Sequence, residues 1–289
     1  MKKAIAIITA DLHLRDTVPV CRIDNYLEAQ NKKLAFIKDL VLKNNCPLIV
    51  AGDVFHKAKS SPYVEKIALE FFKDINCIVI PGQHDLLYHK LSFLNQSSYG
   101  VLFILNNKDK IKFYSVEFED WLSITIENKK FAIGHMFMPK PTDKQDFIIA
   151  GKDYNDYFKK LRSLHVDVII TGDNHKPFIV ENDYYIHINP GSMMRMTANQ
   201  IDYNPMVLVL FSDLSYETIY LPIEDGVVDR LYLDEAKKKD DKIEAFVNRV
   251  SMDYDLDIDF LNNLRMFLNN NKIRKGVVEE INNVLSEVM

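Results

Sequence analysis

Five times along this chain a short strand-like segment, most often an apolar run, leads into a turn that carries aspartate or histidine. Residues 4–9 lead into Asp11 and His13, 48–51 into Gly52-Asp53, and 77–80 into Pro81-Gly82-Gln83-His84-Asp85. Residues 130–134 lead into His135, and 168–171 into Gly172-Asp173-Asn174-His175. Continuous apolar runs this short mark strands buried on both faces. In open α/β sheets, ligands collect beyond the carboxyl ends of such strands. Any fold for this chain must therefore bring five polar strand ends to one edge.

The segments between them fix how. Leu27, Leu34, Ile37 and Val41 recur at helical spacing, so a helix is expected over 23–44, closed by Pro47. Ser61-Pro62 starts a second helix, with Ile67, Ala68, Phe71, Phe72 and Ile75 on its apolar face. The first 85 residues thus read β-α-β-α-β, the pattern of a parallel sheet. Shorter strands follow at 112–115, 121–126 and 130–134, with a hairpin turn at Glu127-Asn128-Lys129. A polar stretch over 139–152 reads as a surface loop able to cover the site, and 154–164 as a helix. A hairpin about Asn182-Asp183 joins 178–180 to 185–187. The turn Asn189-Pro190-Gly191-Ser192 follows, and strands 207–211 and 217–221 complete the sheets. From Asp225 onward strand signals give way to charged helical segments at 234–251 and 257–289. The expected division is a domain over 1–224 and a helical appendage over 225–289, packed on its own domain or docking a partner.

No apolar run reaches the ~18 residues of a membrane span, and 4–9 is too short for a signal-peptide core, so a cytoplasmic protein is expected. Cys21, Cys46 and Cys77 lack metal-type spacing and read as buried thiols. The formal net charge of −5 argues against binding nucleic acid by bulk charge alone. It leaves room for a nucleic-acid enzyme whose metal ions supply positive charge locally.

The five clusters offer carboxylates and imidazoles without thiols, a mixture suited to Mn²⁺, Fe or Zn and less to Mg²⁺. There are enough donors for two ions. Asp11 and His13, two apart on an extended segment, would face the same way, and the central Asp53 is a natural bridge. Two adjacent cations polarise a phosphoryl group, activate water and stabilise both oxygens of an in-line displacement. A histidine beside them, not ligating, would protonate the leaving oxygen. His89, His165 and His187 belong to no cluster and read as surface or structural residues, and Met193, Met194 and Met196 as packing beneath a loop.

With these residues in hand, the chain resembles the calcineurin-like metallophosphoesterases. Their D-x-H, G-D, G-N-H-D/E, lone His and G-H-x-H motifs stand here, in order, at Asp11-Leu12-His13, Gly52-Asp53, Gly82-Gln83-His84-Asp85, Gly134-His135 and Gly172-Asp173-Asn174-His175. The resemblance covers roughly 1–220 and implies an α/β layered sandwich of two mixed sheets flanked by helices. Within the family, Gly-Asp-Val-Phe-His through His56 and the Asn-Pro-Gly-Ser turn look like SbcD-type DNA exonuclease subunits, phage-type versions especially.

The resemblance implies one ion held by Asp11, His13 and His175, a second held by Gln83, His135 and Asp173, and Asp53 between them. It implies His84 as the catalytic histidine, Asp85 as its orienting partner and His56 as a residue that places the scissile phosphate. It further implies Mn²⁺ or Mg²⁺, a DNA substrate, bacterial or phage-encoded origin, dimerisation through the first helices, and an SbcC-like coiled-coil ATPase bound through the C-terminal helices. Two departures fall on the same ion: Gln83 stands where the family usually has Asn, and Asp173 where it usually has His. An added carboxylate favours harder cations there. A phosphatase or phosphodiesterase acting on a small nucleotide or phosphoprotein is the competing enzyme reading, and a scaffold that keeps the fold without catalysis is the third.

Overall fold

The computed structural model describes residues 2–106, 110–117, 119–140 and 159–229 and, near the C-terminus, residues 264, 267, 268, 270, 271, 273 and 275–288. The chain divides into two compact units, Met1–Arg230 and Leu231–Met289.

In the first unit the expected alternation is present. Strand β1 (Ala4–Thr9) is followed by helix α1 (Tyr26–Asn44), β2 (Leu48–Ala51), α2 (Pro62–Phe72) and β3 (Cys77–Ile80). Helix α1 starts three residues later than its apolar spacing suggests. The Asn25 side chain accepts from Glu28 N–H and caps it, while Ile23 lies outside and is exposed. Ser61 caps α2 in the same way, with Pro62 in the first turn. After β3 come 3₁₀ turns and a short helix α3 (Ser98–Leu102), then β4 (Ile111–Phe113).

The middle strands are β5 (Leu122–Ile126), β6 (Lys129–His135), β7 (Val168–Gly172), β8 (Phe178–Glu181) and β9 (Ile186–Asn189). β10 (Met206–Phe211) and β11 (Tyr216–Tyr220) follow. The loop expected from 139 falls, beyond Lys140, outside the described residues. So does the start of the 154–164 helix, of which 159–162 are helical.

Two mixed sheets result. One has the order β11-β10-β1-β2-β3-β4, with β1 to β4 parallel and β10 and β11 antiparallel at one side. The other runs β5-β6-β7-β9-β8, with a parallel centre of β6, β7 and β9. Strand alternation divides the side chains between layers. Ile8, Ile49, Ile78 and Leu208 of the first sheet join Phe131, Ile133, Ile170 and Ile188 of the second in one apolar interior. Ile7, Val50, Val79 and Val209 face the other way, against Leu34 and Ile37 of α1 and Val64, Ala68 and Phe72 of α2. Met193 and Met194 are buried in that helix-covered layer. The outer face of the second sheet is covered by Met136, Met138 and Leu161 over Ile169 and Phe178. The architecture is the α/β sandwich of two mixed sheets flanked by helices, and parallel strands put β1, β2, β3, β6 and β7 carboxyl-end outward at one edge.

In the second unit, helix α4 (Lys275–Val288) is described. The helical expectation over 234–251 lies outside the described residues, as does most of 257–274. Among the described residues, no helix is long and apolar enough to cross a membrane.

Candidate metal centre

The loops after β1 and β2 leave their sheet side by side. Asp11 N–H donates to Gly52 O at 3.1 Å, His13 N–H to Asp53 O at 2.9 Å and Leu14 N–H to Val54 O at 2.9 Å. The backbone here is not extended, contrary to the spacing argument for Asp11 and His13. Asp11, His13 and Asp53 have φ of 49°, 45° and 52°, and Asp173 has 78°. Residues with a Cβ are rarely found in this left-handed region and are held there by their surroundings. It is this backbone turn, rather than strand alternation, that brings the Asp11 and His13 side chains together.

The loop after β3 is fastened to its neighbour by Asp85. Its carboxylate accepts from Phe55 N–H at 2.8 Å, Gly82 N–H at 2.9 Å and Val54 N–H at 3.1 Å. Burial and the nearby Asp53 charge push its pKa up to about 7, against these three donors. The His84 Nδ1 lies 3.2 Å from the carbonyl of His56, and Asp85, expected as the partner that orients His84, holds the turn in which His84 sits.

Asp53 is fully buried, and its two oxygens are differently engaged. Oδ1 accepts His84 N–H at 2.9 Å, while Oδ2 lies 3.3 Å from His135 Nε2 and 3.6 Å from His13 Nε2. Burial alone would raise its pKa, but the His135 charge and hydrogen bond, with His13 and His84, hold the carboxyl well below the usual range. His135 arrives from the second sheet. Its Nδ1 donates to Ala51 O at 2.7 Å, which turns Nε2 toward Asp53. Burial opposes protonation of this ring, and Asp53 overrides it, raising the pKa to about 10. Glycine is required on both sides of this contact. At Gly52, with φ of 88°, a Cβ would fall on the His135 ring, and at Gly82 it would fall on Asp53 Oδ1.

Asp173 and His175 come from the end of β7. Asp173 N–H donates to both oxygens of Asp11, at 3.2 and 3.1 Å. Burial raises the Asp11 pKa well above the ordinary value. His175 Nε2 faces His13 Nε2 at 3.1 Å, and both lie 3.9 Å from Asp11 Oδ1. Burial lowers the pKa of both rings. His56 and His84 complete the cluster, stacked at 5.9 Å with an angle of 10° between rings. Burial, and then the Arg15 charge, lower the His56 pKa to about 4.

The expected residues therefore fall into three groups. Asp11, His13 and His175 form one triplet with ligand atoms within 4.8 Å of one another, and Asp11, Asp53 and His135 form a second. Gln83 and Asp173 pair with each other, Gln83 Nε2 donating to Asp173 Oδ1 at 2.5 Å. His84, His56 and Asp85 surround the triplets. The donor set fits divalent cations. Two imidazole nitrogens face each other beside the Asp11 carboxylate, and Gln83 Oε1 is buried with no hydrogen-bond partner.

One supporting element carried no chemical signal of its own. The Asn189-Pro190-Gly191-Ser192 turn braces the Asp11 loop from behind. Tyr203 Oη donates to Ser192 O at 2.6 Å, Asn189 Nδ2 to Asn174 O at 3.0 Å, and Met193 N–H to Asp11 O at 3.1 Å. His187, read as structural, is buried and lies 2.9 Å from Thr171 Oγ1.

Comparison with known proteins places this geometry. The calcineurin-like phosphoesterase family pattern matches residues 6–177. A search of curated proteins finds no match. Among solved structures, an archaeal phosphodiesterase is 21% identical, aligned over 75% of this chain and 99% of its own, with a TM-score of 0.46. Vacuolar protein sorting 29 of Cryptosporidium parvum is 16% identical over 78% of this chain and 100% of its own, with a TM-score of 0.41. A predicted phosphoesterase of Streptococcus pneumoniae is 14% identical over 76% and 99%, with a TM-score of 0.36. With more than half of its length matched by the family pattern, and with that family's motifs gathered at one sheet edge, the chain belongs to the calcineurin-like phosphoesterases.

Proposed function

We propose that the protein is a metal-dependent DNA nuclease of the SbcD type. Asp11, His13 and His175 would hold one ion and Gln83, His135 and Asp173 a second, with Asp53 between them. Two bound cations, Mn²⁺ by preference or Mg²⁺, would supply phosphoryl polarisation and an activated water. The chain's own residues supply the rest. His84, held by the His56 carbonyl, gives a proton to the departing oxygen. Asp85 keeps the His84 turn in place, and His56 stands where the phosphate would enter. The proposal includes an SbcC-like ATPase partner bound through the C-terminal helices, for which the apolar spacing of Val277, Ile281 and Leu285 is the support.

The observation that carries DNA as substrate is a groove that starts at His56. It has a volume of about 160 Å³ and is lined by Arg15, Lys57 and Lys59, by one acid, Asp16, and by Thr17 and Ser60. A pocket beside His56 with more cations than acids suits a polymer whose phosphates continue past the scissile bond. A net charge of −5 favours the second reading, a phosphodiesterase or phosphatase acting on a small nucleotide or a phosphoprotein.

The test is hydrolysis of linear and circular DNA beside bis(p-nitrophenyl) phosphate, cyclic nucleotides and phosphopeptides, in Mn²⁺, Mg²⁺ and Zn²⁺. DNA cleavage that is abolished in Asp53→Asn supports the nuclease reading. Replacing Arg15, Lys57 and Lys59 together by Ala should weaken cleavage of DNA and leave the small diester almost unaffected. DNA left intact in every form, with and without an SbcC-like ATPase, while a small substrate turns over, sinks it in favour of the second reading.

A further inference from the structure

Behind the Asp11 loop lies a second cavity, of about 60 Å³, walled by Arg22, Asp24, Lys32, Lys33, Arg195 and Glu224 and by apolar side chains that include Ala29 and Val227. Three of its cations are buried: Lys33 is 2% exposed, and Arg22 and Arg195 are each 7% exposed. Buried charges are normally paired, because an unpaired one costs several kcal/mol of lost hydration.

Among the described residues the pairing is incomplete. Asp24 is committed to Arg22 through two contacts, Nε to Oδ1 at 2.7 Å and Nη2 to Oδ2 at 2.5 Å. Arg22 Nη1 donates to Arg195 O at 3.0 Å. Arg195 reaches only neutral oxygens, Tyr203 O at 2.5 Å and Asn204 Oδ1 at 3.2 Å. Lys33 has one protein acceptor, Met193 O at 3.2 Å. The remaining acid, Glu224, lies at the exposed mouth with Lys32, which Glu28 also pairs. Arg22 is thus paired by Asp24 and Lys32 by Glu28 and Glu224, which leaves Lys33 and Arg195 as two buried cations without a carboxylate contact among the described residues.

We propose that this cavity binds a small dianionic oxyanion of the phosphate or sulfate type. Two charges match these two cations. An anion there would accept from the Lys33 ammonium and the Arg195 guanidinium, whose planar fork suits a multi-oxygen acceptor. The volume admits a single small anion, since a water needs only ~10–15 Å³ of such space. The cavity is no branch of the metal centre. Met193 stands between them, its carbonyl held by Lys33 and its N–H donating to the Asp11 carbonyl. Burial, then the Arg22 and Arg195 charges, lower the Lys33 pKa to about 7.

The experiment is calorimetric titration of the full-length protein with phosphate and with sulfate, against chloride at matched ionic strength. The variants are Lys33→Met, Arg195→Gln and Asp53→Asn, each checked for folding by circular dichroism. Saturable binding that weakens about tenfold or more in Lys33→Met and Arg195→Gln, and survives in Asp53→Asn, supports the site. Arg195→Gln carries the test if Lys33→Met does not fold. A parallel titration with a mononucleotide separates sources, tighter binding pointing to a nucleotide phosphate and equal or weaker binding to the free anion. Absence of saturable binding overturns the proposal. So does binding lost in Asp53→Asn but kept in Lys33→Met, because the anion then sits at the metal centre.

Discussion

Gln83 and Asp173, the two positions where this chain departs from its family's motifs, are in contact with each other. The Gln83 amide nitrogen donates to Asp173 Oδ1 at 2.5 Å, and the amide oxygen is left buried without a hydrogen bond. The longer side chain at position 83 thus finds its partner in the carboxylate that replaces histidine at position 173, so the two departures act as one. If Gln83 Oε1 is the atom reserved for an ion, Gln83→Ala and Asp173→Ala should each reduce bound Mn²⁺ from two ions per chain toward one. The remaining ion should depend on His175, so His175→Ala in the same background should remove it. Metal content by plasma mass spectrometry reads all three. Retention of both ions in Gln83→Ala would show that the amide has no part in binding.

His84 meets the metal triplets through its backbone N–H to Asp53 and an edge-to-face contact of its ring with His13 at 5.0 Å, while its Nδ1 lies on the His56 carbonyl. His84→Ala should therefore leave metal content unchanged and lower kcat by about 10²–10⁴-fold, the usual contribution of a positioned acid. Substrates with an acidic leaving group, which need no proton, should lose much less. An equal loss on p-nitrophenyl and alkyl diesters would point to a different role.

Asp85 supports three backbone N–H groups in two loops. Asp85→Ala leaves them buried and unpaired, and a loss of about 3–5 kcal/mol in urea-unfolding stability is expected, with Asp85→Asn nearer 1–3 kcal/mol. Because its contact is with the turn and not with the His84 ring, Asp85→Asn should reduce kcat without moving the pH profile. A shift of the profile with unchanged stability would return Asp85 to the role of orienting His84.

Lys33 gives a pH test with a definite sign. Burial, then Arg22 and Arg195, lower its pKa from 10.5 to about 7. Unfolded Lys33 takes up its proton as pH falls through 10.5, whereas the folded one waits until about 7, so stability is lost across that interval and the penalty is greatest below it. In chloride buffer, Lys33→Met should raise unfolding stability by about 3–5 kcal/mol at pH 6–7, at ~1.4 kcal/mol per pH unit of displacement. The gain should fade above pH ~10.5. Denaturant midpoints at pH 6, 8 and 10 check it, and a gain that grows with pH would contradict the assignment.

The sheet layout and the gathering of the polar strand ends at one edge were legible because both follow from short-range pattern. Apolar runs ending in Gly-Asp or His fixed the parallel strands, and parallel strands send their carboxyl ends to one edge. What was hidden is what depends on backbone dihedrals and long-range fastening. Nothing in Asp11-Leu12-His13 announces φ near +45°, since only the hydrogen bonds to Gly52 and Asp53 impose it. The partners of Asp85 lie mainly on a loop some thirty residues away, so its spacing suggested the adjacent His84 instead. The stretch after His84 has no apolar period, and the 3₁₀ turns there, with φ of 55° at both Tyr88 and His89, left no trace in the sequence. The cluster of cations behind Asp11 was equally silent, because Arg22, Lys33 and Arg195 are far apart in the chain.

The hydrogen bonds from His135 to Ala51 and from Asp173 to Asp11 both run from one sheet to the other. The apolar interior between the sheets is non-directional and by itself would permit one layer to slide over the other. These polar contacts set the alignment. A slip of one residue would separate His135 from Asp53 and take the Asp173 N–H from Asp11. The reaction centre is thus also the index mark of the sandwich: the same few residues that define the chemistry tell the two halves of the domain how to lie together.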